Sequence, residues 1–326
     1  MPTWTPESDI HESERMESPT GKDIAVIIRP VQSQTAFQII WKRFSRHPGA
    51  MAGSCILLFL ILAILLAPLS PYDPEKSDTT QQLQPPSLQH PMGTDALGRD
   101  MLTRVLHGGR ISMSVGMIVV AITLIIGVTL GAVAGHFGGT TDNILMRITD
   151  AALTLPSLLV LILLSAILRE VELPLFQRNS VLTISLVIGL LSWMTFTRLV
   201  RASFLTLREM DFITASRSLG ASPLRIITTH TLPNSIGPII VLATLGLGYA
   251  IIEESGLSFL GFGIQPPTPS WGNLLSNSQE NFIRYPWLAI FPGLMIFLTI
   301  ISVNYIGDGL RDAFDPYKVL HKAGEM

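Results

Sequence analysis

A single cysteine, Cys55, in 326 residues leaves no internal disulfide and no multi-cysteine metal site to consider. Charge is scarce too. Asp, Glu, Lys and Arg together make up 14% of the chain, against about 25% in an ordinary soluble domain. Neither sign is in surplus, since 22 Lys and Arg against 24 Asp and Glu give a formal net charge of −2. With no basic excess to neutralise a run of phosphates, nucleic acid is not an expected partner. No G-x-x-x-x-G-K-[ST] loop occurs: the one Gly-Lys pair, Gly21-Lys22, is followed by Asp23 and lacks the upstream glycine. H-E-x-x-H is also missing. The seven histidines (11, 47, 90, 107, 136, 230 and 321) fall in tails, in loops or near the ends of apolar stretches. None is placed to activate Ser258 of Gly256-Leu257-Ser258 as a nucleophile, so no catalytic residue and no metal site is expected.

What the chain has in quantity is apolar sequence. Hydrophobic residues are 48% and the mean hydropathy is +0.45, too much for the core of a soluble protein of this length. A bilayer core about 30 Å thick needs roughly 20 apolar helical residues at about 1.5 Å rise each. Six stretches between charged residues meet that need: Arg46 to Asp73, Arg110 to Asp142, Asp150 to Arg169, Arg178 to Arg198, Arg225 to Glu253 and Arg284 to Asp308. Residues 255–279 are also uncharged, but Pro266, Pro267 and Pro269 with several Ser and Asn make them an ordered loop. The fold class is therefore all-α and polytopic, with six transmembrane helices.

Residues 1–34 are polar and acid-rich, read as a disordered tail with no secretory signal. Residues 35–50 place Phe37, Ile40, Trp41 and Phe44 at helical spacing beside Lys42, Arg43 and Arg46. That pattern suits an amphipathic helix lying on the membrane surface, or one packed on the protein itself. The first span is 51–69, residues 70–110 form an extracytoplasmic loop, and 111–310 hold five more spans. Residues 311–326 are a short tail. Six spans put both termini on one side, and placing them in the cytoplasm puts 15 of the 22 Lys and Arg inside. The positive-inside rule therefore favours that orientation.

Within the spans, Gly127, Gly131 and Gly135 repeat every four residues, which lines them up on one helix face for close packing of another helix. They make either a static seam or one that shifts. Pro156, Pro233 and Pro238 mark expected kinks or breaks. Arg147 and Asp150, three apart, can pair on one face. Glu253 and Glu254 close the fifth span, lining an entrance or tying down the loop that follows. Asp150 and Glu254 are the candidate pathway or gate residues. Trp271 and Trp287 read as docking-loop or interfacial aromatics, the latter role suiting Trp287 better.

The segment 198–235 is too polar to span and too punctuated to be a random linker. Asp211 suits the N-cap of a short helix over 212–219, Gly220 the left-handed residue after its end, and Ser222-Pro223 the start of another helix. That second helix is expected to stop near Leu232-Pro233, with Asn234 or Ser235 capping the fifth span. A short, exposed helix of this kind suits a groove on another protein.

The stretch DFITASRSLGASPLRIITTHTLPN (211–234) resembles the cytoplasmic signature loop of ABC-importer permeases, E-A-A, three residues, Gly, then a distant L-P. The glycine falls on Gly220 and the L-P on Leu232-Pro233. At the front Thr214-Ala215-Ser216 stands for E-A-A, so the role of the family glutamate does not carry over to Thr214. MGTDALGRDMLTRVLHGGRISMSVG (92–116) and LSFLGFGIQPPTPSWGNLL (257–275) are similar to the C-type subunit of dipeptide, oligopeptide and nickel importers. The resemblance covers roughly residues 40–315.

It implies a permease in a bacterial inner membrane that is not itself an enzyme. Its helix at 211–220 would couple to an ATPase through Asp211, Thr214, Ala215, Ser216 and Gly220. It also implies a second homologous permease subunit, two cytoplasmic ATPase subunits carrying ATP and Mg, an extracytoplasmic substrate-binding protein and the lipid bilayer. No cofactor would be bound by this chain. Peptides are the expected cargo, with nickel complexes or another small solute as the alternative and substrate-binding residues unassigned. The rival from a different class is a stand-alone ion-coupled transporter, which would show inverted repeats and mid-membrane charges.

Overall fold

The computed structural model describes residues 35–170 and 180–315. The tail read over 1–34 and the last residues of the tail read over 311–326 lie outside the described residues. Among the described residues the protein is helical, with one isolated bridge between Thr94 and Asp100. Helix α1 spans Ala36–Phe44, α2 Pro48–Leu65, α3 Met101–Phe137, α4 Gly139–Leu153 and α5 Ser157–Glu170. Then come α6 (Ser180–Arg208), α7 (Asp211–Ser218), α8 (Leu232–Phe259), α9 (Trp271–Ser278) and α10 (Trp287–Phe314).

Five of these elements are long and apolar enough to cross a membrane: α2, α3, α6, the run Pro223–Phe259 ending in α8, and α10. The third expected span is not one straight rod. It consists of α4 and α5, bent by 85° at the break between them. Pro156 explains the position of that break. It has no N–H to donate, and its ring pushes the preceding residue out of the α region. α4 is the less apolar half, and only together do the two helices amount to a sixth span.

Two boundaries differ from expectation. The loop read over 70–110 ends at Asp100, which caps α3 by accepting from the Thr103 N–H at 2.8 Å. The break expected at Leu232-Pro233 does not occur. Instead Pro223–Arg225 and a π-helical stretch, Ile226–Thr231, run on into α8. The wider π turn changes which carbonyls need donors, so the missing N–H of Pro233 does not end the helix. Asn234 and Ser235 do not cap anything. Their side chains bond back to the carbonyls of His230 (2.6 Å) and Thr231 (3.0 Å).

The core forms around α3 and α6. A Cβ added at Gly127 would lie 2.5 Å from Phe196 Cβ, at Gly131 2.7 Å from the Thr197 carbonyl oxygen, and at Gly135 2.5 Å from Phe204 Cβ. Each glycine thus lets α6 approach α3 backbone to backbone, with Val200 and Phe204 buried on the other side. A seam this tight fits fixed packing better than sliding. Val115, Val119, Val187, Ile188, Ala250 and Leu257 continue the core between α3, α6 and α8.

α10 packs against α2, α8 and α1. α1 answers both sequence readings at once. Its Phe44 is buried against Ala50 and Ala313 with Ile40 beside it, while Phe37 and Trp41 stay exposed.

One end of the bundle is a folded crown made by residues 66–100, the start of α3, the end of α8, α9 and the start of α10. The segment read as loop over 255–279 contains α9, whose capping box runs between Ser270 and Asn273. Trp271 is not an interfacial anchor. It is fully buried, and its indole N–H donates to the Val105 carbonyl at 2.9 Å. Removing that side chain leaves a cavity between α3, α8 and α9. Trp271→Ala is expected to cost about 3–5 kcal/mol, visible as a lowered melting temperature of the detergent-solubilised chain.

Candidate functional site: the short helix and the walls behind it

The opposite end gathers the end of α3, the start of α4, the end of α6, α7, the start of α8 and the last turn of α10. α7 is eight residues long, and only Ile213 on it is buried. Its N-cap is Met210, which makes no side-chain cap bond, so Asp211 is the first helical residue and not the cap. There its carboxylate still faces the positive end of the helix dipole. Thr214 and Ala215 are exposed and Ser216 is half-buried. The hydroxyls of Ser216 and Ser218 bond back to the carbonyls of Phe212 (2.7 Å) and Thr214 (3.1 Å).

The exit of α7 is closed by two backbone bonds. Gly220 N–H donates to the Arg217 carbonyl at 3.0 Å, and Ala221 N–H reaches back to Ser216 at 3.1 Å. This is the Schellman arrangement, and it needs a left-handed residue at the turn. Gly220 supplies it with φ +80°. Ser222 then caps the next helical turn, accepting from the Arg225 N–H at 3.4 Å with Pro223 first in line. The caps expected at Gly220 and Ser222-Pro223 are where the sequence placed them. Sequence reasoning missed the apolar rim. Phe212 is 42% exposed, Leu224 70% and Leu219 89%. Their signal was available as large apolar side chains set in an otherwise polar stretch.

Behind α7, two ion pairs join the bent α4 to α6. Arg201 forks onto Asp142, with Nε on Oδ1 and Nη2 on Oδ2 (2.6 Å). Arg198 pairs with Asp150, both about half exposed. The expected partner of Asp150 was Arg147 in the same helix turn. The structure gives it to α6 instead, because α4 lies against α6 and a guanidinium there reaches the carboxylate. Bidentate geometry makes Asp142–Arg201 the stronger of the two, while the exposed pair contributes little by itself. Asp142→Asn is expected to lower stability by about 1–3 kcal/mol, measured as a melting shift, with Asp150→Asn within about 0.5 kcal/mol of the parent.

Glu254 is at the other end, fully buried. Ser112 Oγ donates to its Oε2 at 2.8 Å and Ser258 Oγ to its Oε1 at 2.7 Å. Ser112 Oγ in turn accepts from the Trp271 backbone N–H at 3.2 Å, and Ser258 Oγ from Ile264 N–H at 3.0 Å. The carboxylate therefore ties α3 and the end of α8 to α9 and the loop leading into it. Of the two roles read for it, holding down the following loop is the one this geometry matches. Asp150 and Glu254 lie at opposite ends of the bundle and do not form one site. Glu253 receives a long 3.4 Å contact from Ser192. Trp287 packs in the crown against Tyr285, ring centroids 5.4 Å apart.

Comparison with known proteins agrees with this architecture. Residues 127–318 match the model of the family described as binding-protein-dependent transport system inner membrane component. Residues 35–86 match the N-terminal TM domain of oligopeptide transport permease C. The chain is 38% identical over 292 residues to the glutathione transport system permease protein GsiD of Pectobacterium atrosepticum, covering 89% of this chain and 94% of that one. It is 43% identical over 279 residues to the dipeptide transport system permease protein DppC of Alkalihalophilus pseudofirmus, covering 85% and 88%. Among solved structures it resembles an inward-facing form of the MetNI methionine ABC transporter, with TM-score 0.52 and 17% identity over 66% of this chain and 98% of that one. That likeness is one of fold.

Proposed function

Because this chain belongs to the family of binding-protein-dependent inner-membrane transport components, a multi-pass permease subunit of the bacterial inner membrane, we propose that it forms half of an ATP-driven import pathway for di- or oligopeptides and that α7 is its contact with the motor. The peptide assignment follows the relatives whose names carry dipeptide and glutathione transport. Family membership sets aside the stand-alone ion-coupled transporter. The pathway lies between this chain and a second, homologous permease subunit, since one small bundle does not enclose a route of peptide width. Two ATPase subunits bind ATP and Mg on the cytoplasmic side, and a binding protein delivers cargo to the crown. The α7 end, with both chain termini, then faces the cytoplasm. Lys42, Arg43, Arg46, Arg147, Arg208, Arg217, Arg225 and Arg311 lie on or beside the elements at that end, a basic bias that supports this orientation.

The observation that carries the motor contact is α7 itself. α7, in which Ile213 is the buried residue, presents Phe212, and the turns just after it add Leu219 and Leu224. Such a rim fits an apolar groove, and the Schellman turn holds it rigid enough to transmit displacement. Movement of α7 passes directly to the π-helical entry of α8 and to the end of α6, the elements it touches.

The test is a cysteine at Ala215 in a Cys55→Ser background of the assembled transporter, joined to its neighbours by a short bifunctional reagent. An ATP-hydrolysing subunit is expected in the adduct, in amounts that change between nucleotide-free and ATP-bound states. Adducts containing only the partner permease would overturn the assignment of α7.

A further inference from the structure

We infer that α1 binds the anionic headgroups of the surrounding bilayer and that this contact braces the cytoplasmic end of α10. The inference rests on the permease reading for its orientation and on the following geometry for its substance. α1 has one continuous apolar arc, Ile40, Phe44, Phe37 and Trp41, at helical spacing. Only half of it is used internally, by Phe44 and Ile40. Phe37 is 74% exposed and Trp41 57%, more than a soluble surface helix leaves to water without a partner. Lys42 on the flank of this helix and Arg46 in the turn after it are both exposed.

The occupant follows from position and charge. α1 joins α2 through a three-residue turn, and α2 is a membrane span whose Leu58, Phe59 and Leu62 are themselves exposed. The uncovered half of the arc therefore sits at the end of a lipid-facing span, at the level where that span meets the headgroups. Aromatic rings sit well at that depth, and exposed cations beside them meet phosphate. No acidic side chain lies on α1 to oppose an anionic surface.

The link to α10 is specific. Arg43 Nη1 donates to the carbonyls of Ala313 (3.3 Å) and Asp315 (3.0 Å), closing the last turn of α10. At Gly309 an added Cβ would stand 2.3 Å from Ala50 Cβ and 3.3 Å from the Phe44 ring, so the two elements meet closely. That turn of α10 also presses Phe314 on Gly237 at the start of α8. It borders a cavity of about 460 Å³ between α6, α8 and α10, with Leu199, Pro238, Arg311 and Phe314 in its wall. A cavity leaves the α10 end room to shift. An α1 held on the headgroups limits that shift, next to the elements α7 acts on.

The experiment uses the full transporter reconstituted in vesicles of phosphatidylcholine, alone or with phosphatidylglycerol. A bimane at Phe37→Cys, in a Cys55→Ser background, is read against lipids carrying a nitroxide near the top of the acyl chain. Quenching is expected, stronger when the nitroxide is on phosphatidylglycerol. In Lys42→Glu/Arg46→Glu that preference should fall by about 30-fold or more, at about 1 kcal/mol for each of the two cations lost. Uptake by the parent should rise with phosphatidylglycerol and uptake by the double variant should not. A probe left unquenched, a quench indifferent to headgroup, or a probe shielded from lipid and crosslinked to another subunit would each overturn the proposal. Quenching needs no cargo and no ATPase, so its failure is distinguishable from failure of the permease reading, which would show as no ATPase bound at all.

Discussion

A transporter carrying Gly220→Val should insert and assemble, hydrolyse ATP, and import almost nothing. Nothing lies within 4 Å of the site where a side chain would stand, so the substitution meets no steric block and does not unsettle the bundle. Its cost is conformational. At φ +80° a β-branched residue is strained by about 1–2 kcal/mol or more. The chain relieves that strain by opening the turn, which breaks the Gly220–Arg217 and Ala221–Ser216 bonds and frees the end of α7. The lever then slips relative to Ile226–Thr231. Uptake in vesicles is expected to drop by at least tenfold, with ATPase activity within about twofold of the parent. Gly220→Asn, which tolerates the left-handed region, should restore most uptake. Normal uptake by a correctly inserted Val variant would end the coupling reading of α7, while leaving the family assignment in place.

The second large effect is structural. Gly131→Leu should prevent a stable bundle from forming. Its first side-chain carbon would already lie 2.7 Å from the Thr197 carbonyl and from Val200 Cβ, and a main-chain oxygen in a helix cannot swing aside. α3 and α6 would have to separate, losing the burial of Val200 and Phe204. Overpacking of that kind costs about 3 kcal/mol or more. The expected readout is loss of folded, monodisperse protein after detergent extraction. Gly256→Ala is the internal control, with open space at its Cβ position. Alanine's better helix propensity there should leave stability equal or raised by up to about 1 kcal/mol.

These two glycines were legible in the sequence for different reasons. Gly220 stood between a short helical pattern and a Ser-Pro start, a local grammar that backbone sterics enforce whatever the tertiary fold. Gly127, Gly131 and Gly135 were visible by spacing, yet spacing does not name the helix they meet. The uncharged stretches gave five spans directly because bilayer thickness sets their length. The bent α4–α5 pair was harder, since its first half is too polar to read as membrane and its turn depends on Pro156 alone. What stayed hidden is what joins residues far apart in the chain. Asp150 pairs with Arg198 48 positions away, and Glu254 with Ser112 142 away. A nearer candidate, Arg147, misled for the first. Asp211 was misplaced by a single residue because Met210 carries the extended backbone of the cap with no side-chain oxygen to announce it. Trp271 read as a surface aromatic because an indole flanked by Pro, Ser and Gly looks the same whether it meets headgroups or a helix.

The 37 residues of α3 extend about 55 Å at 1.5 Å each, nearly twice the hydrocarbon thickness of about 30 Å. No proline interrupts them, and they are riveted to α6 along their second half. Such a strut has no break at mid-depth. On the importer reading proposed above, docking at the far rim would reach the α7 end as a turn or tilt of the whole strut, with stiffness in place of a relay of small side-chain movements.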